Sequence, residues 1–231
     1  RDLSVSTNGT RLASQAATRW AAGVQRLNVS LDTLARPRFA ELTHRDALPD
    51  VLAGLEAARA CDFRLIKINM VWLPEFNGDE LDTMIEFCRE RRFVLRLIEN
   101  MPMGDAARQL GSSSLQPEIA RLREKHGLVD HLVPGGGPAR YLASPDRTFS
   151  IGFITPLSQH FCETCNRVRV SVTGTLHLCL GQENRVELLP LLREGASDAE
   201  ISTLIREALL HKPLRHDFLG APGKIVRIMA S

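Results

Sequence analysis

The sequence predicts an α/β fold, in which helices pack on a parallel sheet that is either open or curled into part of a barrel. Two observations predict it. Short runs rich in Val and Ile alternate with amphipathic stretches through the first hundred residues, and polar residues follow each run at its carboxyl end. Strand–helix alternation is typical of parallel sheets, whose ligands bind beyond the carboxyl ends of the strands. We therefore expect a binding site at that edge.

Four strands and three helices account for this first part of the chain. The predicted strands are the short apolar runs, at 3–6, 26–30, 64–70 and 93–98. The predicted helices lie between them and have apolar residues at helical spacing, at 11–23, 47–61 and 79–91. We interpret residues 1–104 as one domain.

The alternation of predicted strands and helices ends after Gly104. A helical pattern, a turn-rich segment and two closing helical stretches follow, at 117–127, 133–142, 186–194 and 198–211, with short strands and a cysteine-rich segment before the last two. We interpret residues 105–231 as an appended module that covers one mouth of the sheet.

Composition and charge exclude several classes of function. The net charge of +2 is too small to indicate nucleic-acid binding, and no apolar run approaches the ~18 residues of a membrane span. The five cysteines are an odd number, and Cys61 and Cys88 lie in helical segments far from the other three. This cysteine usage predicts a reduced, cytoplasmic protein with a metal site. The small net charge and the short apolar runs predict that it has no nucleic-acid or membrane partner.

Three cysteines are the strongest chemical signal. Cys162 and Cys165 form a C-x-x-C, which lets a tight turn aim two thiolates at one metal, and Cys179 lies at the far end of a predicted hairpin. A structural zinc site would need a fourth ligand, for which His160 or His177 is available. An iron–sulfur cluster held by three thiolates would leave one iron open to water or substrate. Spacing alone favours zinc, and thiols without a ligand are the third alternative.

Two arginines stand beside the cysteines. Arg167 and Arg169 are two apart on a predicted strand, so both guanidiniums leave the same face, and we expect Val168 and Val170 to pack inward. Paired guanidiniums next to a metal site are suited to a polyanion such as a triphosphate. A solvated strand face is the alternative.

Two further cations interrupt predicted core strands. Lys67 lies within RLIKINM and Arg96 within FVLRLI, although central parallel strands normally read as continuous apolar runs. A buried cation usually pairs with an acid or serves a site. We therefore expect either pairing, with Glu99 as a candidate, or an anionic ligand in the lumen of a curled sheet.

Several motifs occur in a fixed order along the chain. They are STNG, LNVSLDTL, IKIN, RLIENMPMG, GGPARY and FCETCNRVRVSVTGTLHLCL. Together they resemble the MoaA family of radical S-adenosylmethionine enzymes, the GTP 3′,8-cyclases of molybdenum cofactor biosynthesis. The resemblance implies an incomplete (β/α)6 barrel, here a TIM-like half barrel truncated at its N-terminus, with a C-terminal α+β extension that holds a second 4Fe–4S cluster.

The resemblance also assigns the cofactors. It implies that Cys162, Cys165 and Cys179 ligate the second 4Fe–4S cluster, whose open iron meets the guanine of GTP. It implies that Ser30 and Met101 contact S-adenosylmethionine. A first cluster in the family reduces S-adenosylmethionine to methionine and a deoxyadenosyl radical.

For GTP the resemblance implies five binding residues, which are Ser6, Lys67, Arg96, Arg167 and Arg169. Ser6 stands where the family usually has Thr. The radical takes the 3′ hydrogen of GTP, and the ribose radical attacks C8 of guanine to form 3′,8-cyclo-7,8-dihydro-GTP. A precursor Z synthase (cyclic pyranopterin monophosphate synthase) then takes the product.

The chain departs from the family in several ways. It contains no C-x-x-x-C-x-x-C for the first cluster and no Gly-Gly-Glu segment, it begins at the third strand, and it ends in RIMAS without Gly-Gly. The resemblance therefore implies a truncated chain that is inactive on its own. Open sheet edges predict a homodimer. The alternative is a zinc-stabilised nucleotide-binding fragment or paralogue without catalysis.

Overall fold

The computed structural model describes residues 3–103, 105–133 and 137–216, without the side chains of 105 and 106. These residues form two compact units, one within Arg1–Asn100 and Ser113–Ser158 and the other within Met101–Ser112 and Gln159–Ser231. The predicted boundary between two domains, 1–104 and 105–231, stays a prediction. The turn-rich segment at 133–142 and the end of the family resemblance lie partly outside the described residues.

A seven-stranded sheet forms the centre of the first unit. Its strands are β1 (Ser4–Thr7), β2 (Arg26–Ser30), β3 (Leu65–Trp72), β4 (Val94–Glu99), β5 (Val129–His131), β6 (Arg140–Ala143) and β7 (Ser150–Ile154). Their order is β1-β2-β3-β4-β7-β6-β5, in which the first five run parallel and the last two are antiparallel. The predicted mixed α/β fold with a parallel sheet is therefore confirmed, whereas the truncated half barrel stays a prediction.

Most of the helices follow the parallel strands. They are α1 (Leu12–Ala21), α2 (Arg36–Thr43), α3 (Leu48–Ala60), α4 (Pro74–Asn77), α5 (Leu81–Arg91), α6 (Asp105–Gln109), α7 (Gln116–His126), α8 (Leu189–Arg193) and α9 (Asp198–Leu210). The helices α1 and α3 approach closely because Gly54 has no side chain, since a Cβ there would lie 2.8 Å from the Gly9 carbonyl oxygen. Within the described ranges, every helix is too short or too polar to span a bilayer.

The two faces of the large sheet differ in polarity, because successive strand residues point to opposite sides. One face packs with helix residues in a single apolar core and presents Leu27, Val29, Ile66, Ile68, Met70, Leu95, Leu97, Ile151 and Phe153. The residues between them form the opposite face, which we call the polar face. It includes Ser4, Ser6, Arg26, Asn28, Ser30, Lys67, Asn69, Arg96, Tyr141 and Gly152.

The second unit contains a small antiparallel sheet. Its strands are β8 (Arg169–Val170), β9 (Thr175–His177) and β10 (Arg185–Glu187), in the order β10-β9-β8. A separate apolar cluster of Leu176, Leu178, Leu188 and Ala208 joins this sheet to α9. The helix α9 begins with a capping box between Ser197 and Glu200.

Three observations differ from the sequence-based expectations. The helical stretch expected around 186–194 begins in fact with β10, and α8 starts only at Leu189, because apolar residues at 186, 188 and 189 fit either period. The helix α2 was not predicted, since Phe39 is its only buried residue and no apolar stripe marks it. The expected inward packing of Val168 and Val170 is wrong, because they are 38% and 62% exposed.

Candidate functional site

The polar face brings together four of the residues expected to bind ligands. The strand register places them, with two asparagines, in two rows across β1 to β4: Ser6–Asn28–Lys67 and Ser30–Asn69–Arg96. Ser6 and Ser30 are exposed, whereas Lys67 is only 8% exposed. The interruptions of the apolar strands by Lys67 and Arg96 thus mark one continuous surface.

Arg96 is held in place by side-chain amides. Its Nε donates to Asn69 Oδ1 at 2.8 Å, and its Nη2 donates to Asn28 Oδ1 at 2.6 Å. Asn28 donates in turn through Nδ2 to Ser4 Oγ at 2.8 Å. These bonds fix the direction of the guanidinium, whose N–H groups are all donors.

Tyr141 lies near both Lys67 and Arg96 on this face. The Lys67 Nζ is 5.5 Å from the centroid of the Tyr141 ring, within the range of a cation–π interaction. The Tyr141 oxygen accepts a hydrogen bond from Arg96. Burial raises the pKa of Tyr141, and the positive charges of Arg96 and Arg26 oppose this only in part. The phenol therefore remains protonated at neutral pH.

The sequence analysis missed Asn28 and Tyr141. Asn28 lies between the buried Leu27 and Val29 of β2, and a polar residue between buried apolar ones is the same signal that singled out Lys67. Tyr141 is the only tyrosine of the chain, but nothing in the sequence indicates that β6 pairs with β7, which in turn pairs with β4.

Glu99, considered as the partner of Lys67 or Arg96, has another role. Its carboxylate is 1% exposed and accepts hydrogen bonds from the backbone N–H groups of Leu115, Leu157 and Ser158, and from the Ser158 hydroxyl. The expected ion pair with Glu99 is therefore wrong. The side chain instead ties the end of β4 to the start of α7 and to the segment after β7.

Asp32 lies just beyond β2, two residues after Ser30. Its Oδ1 accepts the Val71 N–H at 2.7 Å, and the buried Asn77 donates through Nδ2 to the carbonyl oxygens of both Asp32 and Val71 at 2.9 Å. Burial raises the pKa of Asp32 to about 6, although the Val71 hydrogen bond opposes the shift. The loops after β2 and β3 are thus held together at the carboxyl edge of the sheet.

The three thiols expected to ligate a metal lie in the second unit. Cys162 begins a single turn of 3-10 helix, in which the Cys165 N–H donates to the Cys162 carbonyl at 3.1 Å. Cys179 follows β9 after one residue. All three are half-buried and form no disulfide. Met101, the residue of this unit expected to contact S-adenosylmethionine, is also half-buried.

Arg167 and Arg169 lie close to these thiols. Burial and the charge of Arg167 lower the pKa of Arg169, and the thiolate charges of Cys165 and Cys179 oppose the shift. The Arg167 guanidinium lies 5.5 Å from the ring centroid of Phe161. The backbone here is anchored as well, because Lys212 Nζ donates to the Arg167 carbonyl at 2.9 Å. The positive charge of Arg169 therefore acts on at least two of the thiols, Cys165 and Cys179.

His177 lies on β9, the central strand of the small sheet, where it is opposite Arg169 on β8 and Arg185 on β10. It is 7% exposed, and its Nδ1 has no hydrogen-bond partner among the described residues. Burial lowers its pKa, as does the charge of Arg185, so the imidazole is neutral at pH 7. The other histidine considered as a zinc ligand, His160, instead lies 3.6 Å from a carboxylate oxygen of Glu163.

The second unit offers three thiols as candidate ligands of a metal or a cluster. Within residues 3–103, 105–133 and 137–216, no three Cys, His, Asp or Glu side chains converge as they would around a single metal ion. A cluster holds its thiolates farther apart, since each binds a different iron. The three thiols are half-buried, and the Arg169 guanidinium interacts electrostatically with Cys165 and Cys179. Cys162, Cys165 and Cys179 are therefore the residues of this unit that would hold a cluster.

Two protein-family models together match almost the whole chain. The family model described as Molybdenum Cofactor Synthesis C matches residues 93–218, and the Radical SAM superfamily model matches residues 1–88. These two regions adjoin in the sequence.

The curated relatives carry a common name. A GTP 3′,8-cyclase of Paracoccus denitrificans is 45% identical over 94% of this chain and 64% of that protein. The GTP 3′,8-cyclase of Ectopseudomonas mendocina is 44% identical over 99% of this chain and 71% of that protein. GTP 3′,8-cyclase 1 of Pseudomonas aeruginosa is 41% identical over 96% and 68%. The chain therefore spans roughly two thirds of the length of these relatives.

Proposed function

Because this chain belongs to the molybdenum cofactor synthesis family of radical SAM proteins, we propose that it forms the substrate-binding part of a GTP 3′,8-cyclase. The reaction converts GTP, with S-adenosylmethionine as co-substrate, to 3′,8-cyclo-7,8-dihydro-GTP. The 231 residues contain no C-x-x-x-C-x-x-C motif, which the family uses to generate the radical. We therefore assign GTP binding, and not radical generation, to these residues.

The observation that carries the proposal is the cationic surface on the polar face. Lys67 is almost fully buried, and the direction of the Arg96 guanidinium is fixed by hydrogen bonds to two side-chain amides. A preorganised guanidinium is well suited to phosphate, because its parallel N–H groups match two phosphate oxygens. Ser6 adds a hydroxyl in the same row as Lys67. This arrangement supports a triphosphate ligand.

In the second unit we propose that Cys162, Cys165 and Cys179 hold a 4Fe–4S cluster. When bound through three thiolates, such a cluster offers an open iron to the substrate. Arg169 and Arg167 supply positive charge next to the thiols, which stabilises both thiolates and an anionic substrate. We also propose that Ser30 and Met101 contact S-adenosylmethionine.

A comparison of arginine variants tests GTP binding. We expect Arg96→Ala to weaken GTP binding by about 10- to 100-fold, the loss of a hydrogen bond to a charged group. Lys67→Ala should weaken it as well. The matched control is Arg36→Ala, since Arg36 is 63% exposed and pairs with Asp46 away from the polar face. Calorimetric titration that gives equal GTP affinity for all three variants and the unaltered protein would refute the proposal.

A zinc-stabilised nucleotide-binding protein without catalysis is the second candidate. One observation favours it, namely that the buried Nδ1 of His177 lacks a partner among the described residues and lies two positions before Cys179. Iron, sulfide and zinc analysis after anaerobic reconstitution distinguishes the two. About four irons and four sulfides per chain support the cyclase proposal, and one zinc without colour supports the alternative.

The remaining expectations concern the setting of the protein. We propose a cytoplasmic location, a downstream precursor Z synthase that consumes the product, and a homodimer. Size-exclusion chromatography at several protein concentrations tests the dimer, and a monomer at every concentration would count against it.

A further inference from the structure

Tyr141 reaches across a glycine to Arg96. The register pairs Tyr141 on β6 with Gly152 on β7, and Gly152 with Arg96 on β4. A Cβ on Gly152 would lie 2.6 Å from Tyr141 Cε1 and 3.0 Å from Cδ1. The ring therefore lies over the space that any other side chain at 152 would fill. This explains how a tyrosine two strands away contacts Arg96.

The hydrogen bond between these two side chains has a fixed direction. A guanidinium has only N–H donors, so Arg96 donates and the Tyr141 oxygen accepts. The phenolic hydrogen then needs an acceptor of its own. No described residue supplies one to it, although Tyr141 is only 9% exposed. The hydroxyl is thus a donor held by the protein for something outside it.

The surroundings of this hydroxyl indicate what that acceptor is. The ring lies 5.5 Å from Lys67 Nζ, and the oxygen is bonded to Arg96, so cations flank the donor on two sides. An acceptor beside two cations is favourable when it is anionic. Because burial keeps the phenol protonated, it stays a donor next to such an anion.

We propose that the Tyr141 hydroxyl donates a hydrogen bond to a phosphate oxygen of the nucleotide held by Lys67 and Arg96. The inference rests on the proposed GTP binding and adds a binding residue to it. In this arrangement Gly152 is required, because it leaves room for the ring. Tyr141 also positions Arg96, since it occupies one of the guanidinium N–H groups.

The test is GTP affinity of Tyr141→Phe, which removes the hydroxyl and keeps the ring over Gly152 and Lys67. We expect about a 10-fold loss of GTP affinity and no change in guanosine affinity. Thr148→Val is the control, because it removes a hydroxyl in the turn after β6 that bonds only within that turn, to Asp146. Gly152→Ala should reproduce the loss if thermal unfolding shows that it still folds.

A spectroscopic measurement reads the hydrogen bond directly. Because the chain has one tyrosine, the tyrosine doublet in ultraviolet resonance Raman spectra reports Tyr141 alone. We expect it to change from the pattern of an acceptor to that of a donor when GTP is added, and to stay unchanged with guanosine.

Each outcome decides a different point. Wild-type GTP affinity in Tyr141→Phe, together with a loss in Arg96→Ala, would overturn this inference and leave the proposed function standing. Equal losses for GTP and guanosine would overturn the assignment to phosphate. Unchanged GTP affinity in both variants and in Lys67→Ala would overturn the proposed function as well.

Discussion

Replacing Glu99 with alanine is expected to loosen three segments at once. The buried carboxylate accepts hydrogen bonds from Leu115 N–H at 3.1 Å and from Leu157 and Ser158 N–H at 3.0 Å, besides that from the Ser158 hydroxyl. These donors belong to the start of α7 and to the chain after β7, whereas Glu99 ends β4. The backbone pairing of β4 with β7 ends at Ile98 and Ile154. Beyond that point the Glu99 side chain connects the end of β4 to the other two segments.

The magnitude follows from the four hydrogen bonds. A bond to a charged group contributes about 1.5–3 kcal/mol, so a simple sum would give about 6–12 kcal/mol. Bonds within one network are not additive, and water that enters the vacated space satisfies some of the donors. We therefore expect Glu99→Ala to lower the free energy of unfolding by about 4 kcal/mol, a large part of a domain's stability. Glu99→Gln keeps one acceptor oxygen and should cost about 2 kcal/mol.

Urea unfolding followed by circular dichroism measures both values. The control is Glu86→Ala, since Glu86 is 46% exposed and bonds Arg89 at 2.6 Å on the surface of α5, an ion pair that contributes at most about 1 kcal/mol. The expected order of destabilisation is Glu86→Ala, then Glu99→Gln, then Glu99→Ala. If Glu99→Ala costs no more than the control, the four donors have other acceptors and the reasoning is wrong.

Three further changes test other contacts. Because the folded pKa of Asp32 is raised from 3.8 to about 6, stability from this group is present below pH 4 and is lost as pH rises to 6, so Asp32→Asn should remove a decline of at most about 3 kcal/mol over that window in pH-dependent unfolding. Ser197→Ala removes the capping box of α9 and should cost about 1 kcal/mol in thermal unfolding, whereas Ser202→Ala in the same helix should cost little. Cys179→Ser should abolish the iron and sulfide bound after reconstitution, and retention of both would contradict the ligand assignment, while Cys61→Ser should leave them unchanged.

Local sequence patterns were enough to predict the first four strands of the large sheet and three of the helices between them. The strand predicted at 26–30 is β2 without any change of bounds, and the helices expected at 47–61 and 79–91 are α3 and α5 within two residues at each end. These segments have several buried apolar residues at strand or helix spacing, which is a property of neighbouring residues and needs no tertiary information. Where periodicity is absent, as in α2 with its single buried Phe39, the prediction fails.

The sequence by itself determined the α/β class, the cations Lys67 and Arg96 as exceptions in apolar strands, and the grouping of three thiols with two arginines. Each of these is a matter of residue type and short spacing. Only the tertiary structure decided that β7 inserts between β4 and β6, which brings Tyr141 over Gly152 to Arg96. It likewise decided that Glu99 serves backbone donors and not the cations. The physical reason is that strand order and hydrogen-bond choice depend on residues distant in sequence, whose meeting no local pattern encodes.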